Sequence, residues 1–170
     1  MQHTDPILAG RAEDVAIQSD GRIVAAGVDF GGVLGSAHFA VARYLPDGSP
    51  DPGFGEGGAV RTAFESGRPH DYANALALQP DGKIVAAGAA KLGGRPIGPP
   101  RFALARYRPN GRLDRSFAGD GKRIIGFPYP PIRYHYDVGE ALALQGGRIL
   151  LAGYTEVDWA LARFLGSARR

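Results

Sequence analysis

"QPDGKIVAAG", residues 79–88, recurs along the chain and decides the fold. A near copy, "QSDGRIVAAG", occupies residues 18–27, and a shortened version, "QGGRILLAG", occupies residues 145–153. The copies start 61 and 66 residues apart. Self-similarity at a nearly fixed period is the signature of a repeat architecture. The sequence therefore predicts that one structural unit is built three times.

Two further segments follow the same period. The first reads "FAVARY", "FALARY" and "WALARF" at residues 39–44, 102–107 and 159–164. The second reads "PDGSPDPGFGEGG" and "PNGRLDRSFAGDG" and appears only twice, at residues 46–58 and 109–121. The repeating unit is therefore about 60 residues long, and its third copy is cut short.

We predict a single repeat domain that covers residues 1–170. The repeats span about 12–64, 73–127 and 138–165, and an N-terminal strand at 5–10 is added to the third. Within a unit, "ALALQ" alternates large and small apolar residues, as a strand does. An Asp-Gly pair that includes Gly21 or Gly82 then predicts a tight hairpin, because glycine accepts a positive φ. Each unit offers four short strands and no segment with helical periodicity.

The strands are apolar on both faces, with Ala and Gly on the smaller side. A sheet with one face in water should be polar on that face, so these sheets must be covered on both. The next copy of the same sheet provides that cover, and four-stranded sheets arranged radially make a β-propeller. The predicted fold class is all-β, with propeller-like antiparallel blades. A β-solenoid is the alternative, although its coils are typically shorter.

The quoted segments carry a family resemblance over nearly all of residues 12–165. "ALALQPDGKIVAAG" and "FALARYRPNGRLDRSFAGDG" resemble the bacterial delta-60 repeat. The resemblance implies a unit like a propeller blade, often found in tandem in large secreted or surface proteins. It implies no known activity.

The third repeat lacks a turn and a fourth strand of its own. We predict that Ile7–Gly10 supplies this strand, which gives three complete four-stranded blades per chain. Propellers typically have 4 to 8 blades, so three do not close a ring. The expected assembly is a homodimer that forms a six-bladed ring. The alternative is that the chain is a fragment of a longer repeat array.

The composition of the chain excludes several classes of function. The chain has no cysteine, which excludes disulfides, thiolate catalysis and cysteine-based metal sites. We expect neither a signal peptide nor a membrane span, and the compartment stays open. The formal charge of +3 comes mostly from scattered arginines, whereas nucleic-acid binders concentrate charge, so nucleic-acid binding is not expected.

Arg43, Arg106 and Arg163 occupy one repeated position. Repetition in every unit indicates a role in the scaffold, and we expect ion pairs to Asp51 and Asp114. The turns that contain these aspartates are rich in Asp and Asn, and a calcium site would need six to eight oxygen ligands. Their spacing does not match a calcium loop, and turns prefer Asp and Asn in any case, so no metal site is predicted. The acidic and amide residues concerned are Asp47, Asp51, Glu56, Asn110, Asp114 and Asp120.

Glu13, Asn74 and Glu140 align just before the first strand of each unit. In propellers this strand commonly lies next to the central channel, so these residues are candidates for a polar ring at the channel mouth, able to attract a cation. The alternative is that polar residues simply begin each strand.

The irregular stretch "FPYPPIRYHYD", residues 127–137, is the candidate ligand site. Tyrosine and arginine supply rigid contact area and hydrogen bonds at binding surfaces, and aromatic rings suit sugars, so the ligand would be a carbohydrate or a protein. An aromatic cover over a blade edge is the alternative. The candidate ligand-binding residues are Tyr129, Arg133, Tyr134, His135, Tyr136 and Asp137.

The sequence contains no recognisable catalytic motif and implies no cofactor. His70 and His135 lie in corresponding loops beside Asp71 and Asp137, which leaves only an acid–base possibility. The predicted function is therefore a non-catalytic module for binding or scaffolding. The alternative is a carbohydrate-active hydrolase or lyase with carboxylates near a central channel.

Overall fold

The computed structural model describes residues 8–31, 36–65, 70–91, 98–127, 136–156 and 158–165. These residues form eleven β-strands, and their bounds follow in chain order. They are β1 (Gly10–Ile17), β2 (Ile23–Asp29), β3 (His38–Tyr44), β4 (Ala59–Thr62), β5 (Asp71–Leu78), β6 (Ile84–Lys91), β7 (Pro100–Tyr107), β8 (Lys122–Ile125), β9 (Val138–Gln145), β10 (Arg148–Tyr154) and β11 (Trp159–Leu165). The prediction of an all-β fold is confirmed.

The strands form three antiparallel sheets, one for each repeat. The first sheet has the order β1-β2-β3-β4, the second β5-β6-β7-β8, and the third β9-β10-β11. Every pairing joins neighbouring strands in the chain, so each sheet is a simple meander. This is the organisation of propeller blades. In the part of the chain that the structure describes, no helix is long and apolar enough to cross a membrane.

The third sheet differs from the prediction. Gly10 begins β1 and pairs with Asp29, and the Phe30 amide donates to the Ala9 carbonyl at 2.7 Å. The Ala9 amide in turn donates to the Asp29 carboxylate at 2.8 Å. Leu8–Gly10 thus extend the first sheet and do not complete the third, so that prediction is wrong. The third sheet has three strands among the described residues, and residues 5–7 lie outside them.

The Asp-Gly hairpins form where they were predicted. Gly21 and Gly82 have φ of +84° and +77°, and the Gln79 amide donates to the Lys83 carbonyl across the second turn at 2.8 Å. Asp81 accepts the Lys83 amide at 3.3 Å, which adds a side-chain contact to the same turn. The glycine is needed because few other residues adopt a positive φ without strain.

Consecutive sheets pack face to face. We call the leading face of a sheet the one that covers the next sheet, and the trailing face the opposite one. Phe39 and Val41, on the leading face of the first sheet, share a buried cluster with Ala86, Ala103 and Tyr107 on the trailing face of the second. All five side chains are at most 1% exposed.

The second sheet repeats this arrangement against the third. Phe102 and Leu104 on its leading face pack with Ile149, Leu151 and Ala160 on the third sheet's trailing face. Burial on both faces explains why the strands of the second sheet are apolar on both. Alanine and glycine on the trailing faces let large leading side chains fit between the sheets.

Candidate functional site

The first strands of the three sheets bring the predicted polar ring together. β5 contacts both β1 and β9, so these strands lie side by side. Each strand carries a β-bulge, at Glu13, Asn74 or Glu140. The three aligned residues are therefore the extra residues of three equivalent bulges, which re-aim a side chain where they occur. This gives the alignment a structural cause that the sequence pattern did not show.

Contacts within this group cross between sheets. Asn74 Nδ2 donates to the Gly139 carbonyl at 2.9 Å, which links the second sheet to the third. Glu13 forms an ion pair with Arg11. Burial, together with the negative charge of Glu13, raises the pKa of Glu140 above its ordinary value. The two carboxylates thus lie close enough to repel each other, while Asn74 acts in the scaffold.

A glycine faces each bulge from the second strand of the sheet. A side chain at Gly88 would place its Cβ 2.0 Å from the Tyr72 carbonyl oxygen. Gly27 and Gly153, the equivalent residues, would meet the carbonyls of Arg11 and Val138 at the same 2.0 Å. The last glycine of "IVAAG" is therefore required by the close approach of the bulged strand.

The repeated arginines hold the outer turns. Arg43 Nε lies 2.8 Å from Asp51 Oδ2, and Arg106 Nε lies 3.0 Å from Asp114 Oδ2. These are the two partners predicted from the sequence, and all four side chains are nearly buried. Each guanidinium also lies over a phenylalanine of the same turn, at 4.7 and 4.9 Å from the ring centroid. Arg163 is exposed at the equivalent place in the third sheet.

Burial acts to raise the pKa of both aspartates, but their partners outweigh it. The Gly53 amide and Arg43 lower the pKa of Asp51, and Ser116 and Arg106 lower that of Asp114. Both carboxylates therefore stay ionised within the frame. Among the described residues, no group of three or more His, Asp or Glu side chains is placed to hold a metal ion.

Most of the aromatic loop lies outside the described residues, including Tyr129, Arg133, Tyr134 and His135. Tyr136 is 47% exposed, whereas Asp137 is fully buried. Asp137 Oδ2 accepts hydrogen bonds from Arg101 Nη1 at 2.8 Å and from the Phe127 amide at 3.3 Å. Asp137 thus joins two neighbouring sheets.

The first and third sheets lie at the two ends of the stack, and each has one face that no other sheet covers among the described residues. The leading face of the third sheet exposes Trp159, Leu161 and Tyr154. The trailing face of the first sheet carries a groove of about 190 Å³ whose lining includes Ala25, Gly27, Ala40, Ala42 and Tyr44. Trp159, Leu161 and Tyr154 correspond by alignment of the repeats to Phe102, Leu104 and Ala89, which are buried in the second sheet.

A comparison with known protein families decides the assignment. Residues 18–54 and 79–117 match a family described as a β-propeller domain of unknown function, DUF5122. These segments are β-propeller repeats of that family. The match confirms the resemblance to the delta-60 repeat. A comparison with curated proteins found no match.

Proposed function

We propose that this β-propeller repeat protein is a non-catalytic module that pairs with a second copy of itself through its two end faces. The product would be a six-bladed ring, within the size range of known propellers. The observation that carries the proposal is an exposed leading face at one end and, at the other, a trailing face that exposes Val15 and Ile17.

The leading face of the third sheet has the chemistry of a covered face. Trp159 is 83% exposed and Leu161 is 56% exposed. They stand where Phe102 and Leu104 stand in the second sheet, and both of those are completely buried. Contiguous apolar patches of this kind on a soluble protein mark interaction sites.

The trailing face of the first sheet has the chemistry of a receiving face. Val15 is 62% exposed and Ile17 is 71% exposed. Val15 aligns with Leu76, which is only 7% exposed under the first sheet. The groove beside them is lined by small residues, as the trailing faces inside the stack are. These features support a leading face from another sheet as the partner of this groove.

Two contacts inside the stack support this mode of docking. The ring of Phe102 reaches so far over Gly153 that a Cβ there would lie 2.9 Å from Phe102 Cζ. Trp159 aligns with Phe102, and Gly27 in the groove aligns with Gly153. Arg43 Nη1 donates to the Pro109 carbonyl of the following sheet at 2.6 Å. Arg163 and Pro46 hold the corresponding positions at the free ends.

A second copy related by a two-fold axis would satisfy both ends at once. The third sheet of each chain would cover the first sheet of the other, so the same contact is made twice and the assembly closes. The ring would bring two copies of the Glu13, Asn74 and Glu140 group to its axis. Binding or scaffolding would then involve the rims and loops of the ring.

The alternative of a carbohydrate-active enzyme needs two carboxyl groups that face one cleft about 5 to 10 Å apart. Asp137 is bound by Arg101 and the Phe127 amide, and Glu13 is bound by Arg11. These contacts give each carboxylate a structural role, which favours the non-catalytic proposal.

The proposal is tested by light scattering on the purified chain. We expect a mass of about twice 17.9 kDa. The variant W159S/L161S should reduce the mass to one chain without unfolding, because both side chains are exposed within a single chain. Y136S removes another exposed aromatic residue away from the end faces and should leave the dimer intact. A wild-type mass of one chain at high protein concentration would overturn the proposal.

A mixing experiment tests the pairing of unlike faces. V15K/I17K places two charges on the exposed part of the first sheet's trailing face, and W159S/L161S removes the apolar side chains of the opposite face, so each variant alone should be monomeric. A mixture retains one intact pair of faces and should form a one-to-one complex. If no complex forms in the mixture, the two faces do not bind each other. If the wild type forms open chains larger than a dimer, the closed ring is wrong and the longer array replaces it.

A further inference from the structure

A basic hollow lies on the outer turns of the second sheet, away from both end faces. It is an open depression of about 580 Å³. Four basic side chains line it, with one leucine and one aspartate. They are Arg108, Arg112, Arg115 and Lys122, with Leu113 and Asp120.

Two tight turns fix the backbone from which these side chains project. The Arg108 amide donates to the Arg112 carbonyl at 2.8 Å, which brings the two arginines to the base of one turn. The Gly121 amide donates to the Phe117 carbonyl at 2.8 Å and closes the second turn just before Lys122. The ion pair of Arg106 with Asp114 lies beneath both turns. The basic groups thus project from a rigid base.

The positive charge of the hollow is poorly neutralised. Asp114 is shared between Arg106 at 3.0 Å, Lys83 at 3.8 Å and Arg108 at 3.8 Å. Asp120 accepts the Lys122 backbone amide at 2.9 Å as part of its turn. Within the described residues, the side chains of Arg112 and Arg115 form no ion pair.

Lys122 is anchored at the edge of the hollow. Its Nζ donates to the Ala63 carbonyl at 2.9 Å and lies 5.9 Å from the centroid of the Phe64 ring. The ammonium has three donors, so two remain for a ligand.

The first sheet shows that the scaffold does not require these charges. It has the same pair of turns: the Leu45 amide donates to the Ser49 carbonyl at 2.8 Å, and the Gly58 amide donates to the Phe54 carbonyl at 3.0 Å. At the positions of the four basic residues it carries uncharged ones. They are Leu45, Ser49, Pro52 and Ala59. The charges of the second sheet are therefore an addition to a frame that folds without them.

We propose that the hollow binds a ligand that carries at least two phosphate or sulfate ester groups. Arginine presents a planar fork that matches the oxygens of such groups, and several arginines around one space favour a multiply charged ligand. The volume is within the range of small-molecule sites. The ligand is a phosphorylated small molecule or a sulfated sugar, which share this chemistry.

Calorimetry with two probes tests the proposal on the full chain at low salt. The probes are inorganic tripolyphosphate and a heparin tetrasaccharide, and the tighter of the two identifies the source of the oxyanion. The variant R108L/R112S/K122A introduces residues that the first sheet already carries. Loss of three charge-assisted contacts at about tenfold each should weaken binding by at least about 100-fold. Higher salt should weaken binding by the wild type, because exposed charges are screened.

The matched control is R148A, which removes one exposed positive charge from the third sheet and should change affinity by less than about twofold. The proposal is overturned if neither probe binds, or if the three-residue variant binds as tightly as the wild type. The dimer variant W159S/L161S should bind the probes normally, because the hollow does not involve the end faces. A failure of the proposed dimer and a failure of the proposed anion site can therefore be distinguished.

Discussion

Asp71 and Asp137 occupy the same position in the second and third sheets, and each accepts a hydrogen bond from the sheet before it. The Phe64 amide donates to Asp71 Oδ2 at 3.0 Å, and the Phe127 amide donates to Asp137 Oδ2 at 3.3 Å. Both aspartates are almost completely buried. Each one therefore joins the end of one sheet to the start of the next. Gly10 holds this position in the first sheet, so the link is made only at the two junctions within the stack.

Asp137 forms an ion pair with Arg101, whereas the salt bridges among the described residues do not include Asp71. Asp71 should therefore make the free energy of unfolding depend on pH. Burial raises the pKa of Asp71 to about 6, with Glu65 adding to the effect and Lys122 opposing it. A carboxyl with a raised pKa binds its proton more tightly when folded, so its stabilising effect is full below about pH 4 and is lost as the pH rises through about 6. D71N should therefore gain about 1–3 kcal/mol of unfolding free energy relative to wild type between pH 4 and pH 7.

Urea unfolding of both proteins across this pH range measures the effect. The comparison uses the difference between the two curves, which removes the titration of neighbours such as His70. A difference that stays constant from pH 4 to pH 7 would show that Asp71 does not titrate in this range.

Replacing Asp137 by asparagine should lower stability, because Arg101 lies beside it. The Arg101 side chain is 24% exposed and lies 2.8 Å from Asp137 Oδ2. D137N leaves this guanidinium without its counter-charge and should cost about 1–3 kcal/mol at pH 7. Urea unfolding of D71N and D137N at pH 7 compares the two links directly. If D137N is as stable as the wild type at pH 7, or more stable, the ion pair does not stabilise the protein.

The buried pair of Arg106 and Asp114 should be the more sensitive of the two outer-turn pairs. R106M leaves the buried Asp114 with its hydrogen bonds from Ser116 but with no basic group closer than Lys83 and Arg108, each at 3.8 Å, and should cost about 3–5 kcal/mol. R43M should cost less, because Asp51 keeps Arg22 at 3.0 Å. Chemical unfolding of both variants gives the order, and a larger loss in R43M would contradict this account.

Local signals explain why the sequence predicts the sheets so well. The alternation in "ALALQ" and the Asp-Gly turns act over a few residues, so the strands and hairpins follow from short windows. The link from Asp71 to the Phe64 amide was not predictable in this way. It depends on how one sheet ends against the next, which no local pattern records.

Contacts between distant parts of the chain explain why the position of the N-terminal strand and the basic hollow were not predicted. The segment "ILAG" is apolar and fits either the first or the third sheet by pattern alone. Asp29 decides between them, since its carboxylate accepts the Ala9 amide. The basic hollow has the same origin, because Arg108 and Lys122 meet only after two turns fold back on each other.

The glycine opposite each bulge should tolerate no side chain. In G88A the new Cβ would lie 2.0 Å from the Tyr72 carbonyl oxygen, and the backbone must shift to relieve the overlap. We expect a loss of more than about 3 kcal/mol in unfolding free energy, above the usual range for single substitutions. G57A is the control, because Gly57 has φ of +60° but open space around it, and it should cost only about 1–2 kcal/mol. Similar losses in the two variants would mean that the close approach at the bulge is not what requires glycine.

The hydroxyl groups of Thr62 and Tyr107 should couple the first two sheets. Their oxygens lie 2.7 Å apart at a buried site, and burial raises the pKa of Tyr107 above its ordinary value. Y107F should cost about 1–2 kcal/mol, because the Thr62 hydroxyl is left without its partner. Y44F removes the equivalent hydroxyl from the trailing face of the first sheet and should cost less than about 0.5 kcal/mol.

A double-mutant cycle isolates this contact. T62V and Y107F each remove one hydroxyl with little change of shape, so the double variant should be more stable than the sum of the single losses predicts, by about 1 kcal/mol. Urea unfolding of the four proteins measures this coupling energy. Simple additivity would show that the two hydroxyls do not interact. A positive coupling energy would mean that a hydrogen bond inside an otherwise apolar interface helps to fix the position of the first sheet against the second.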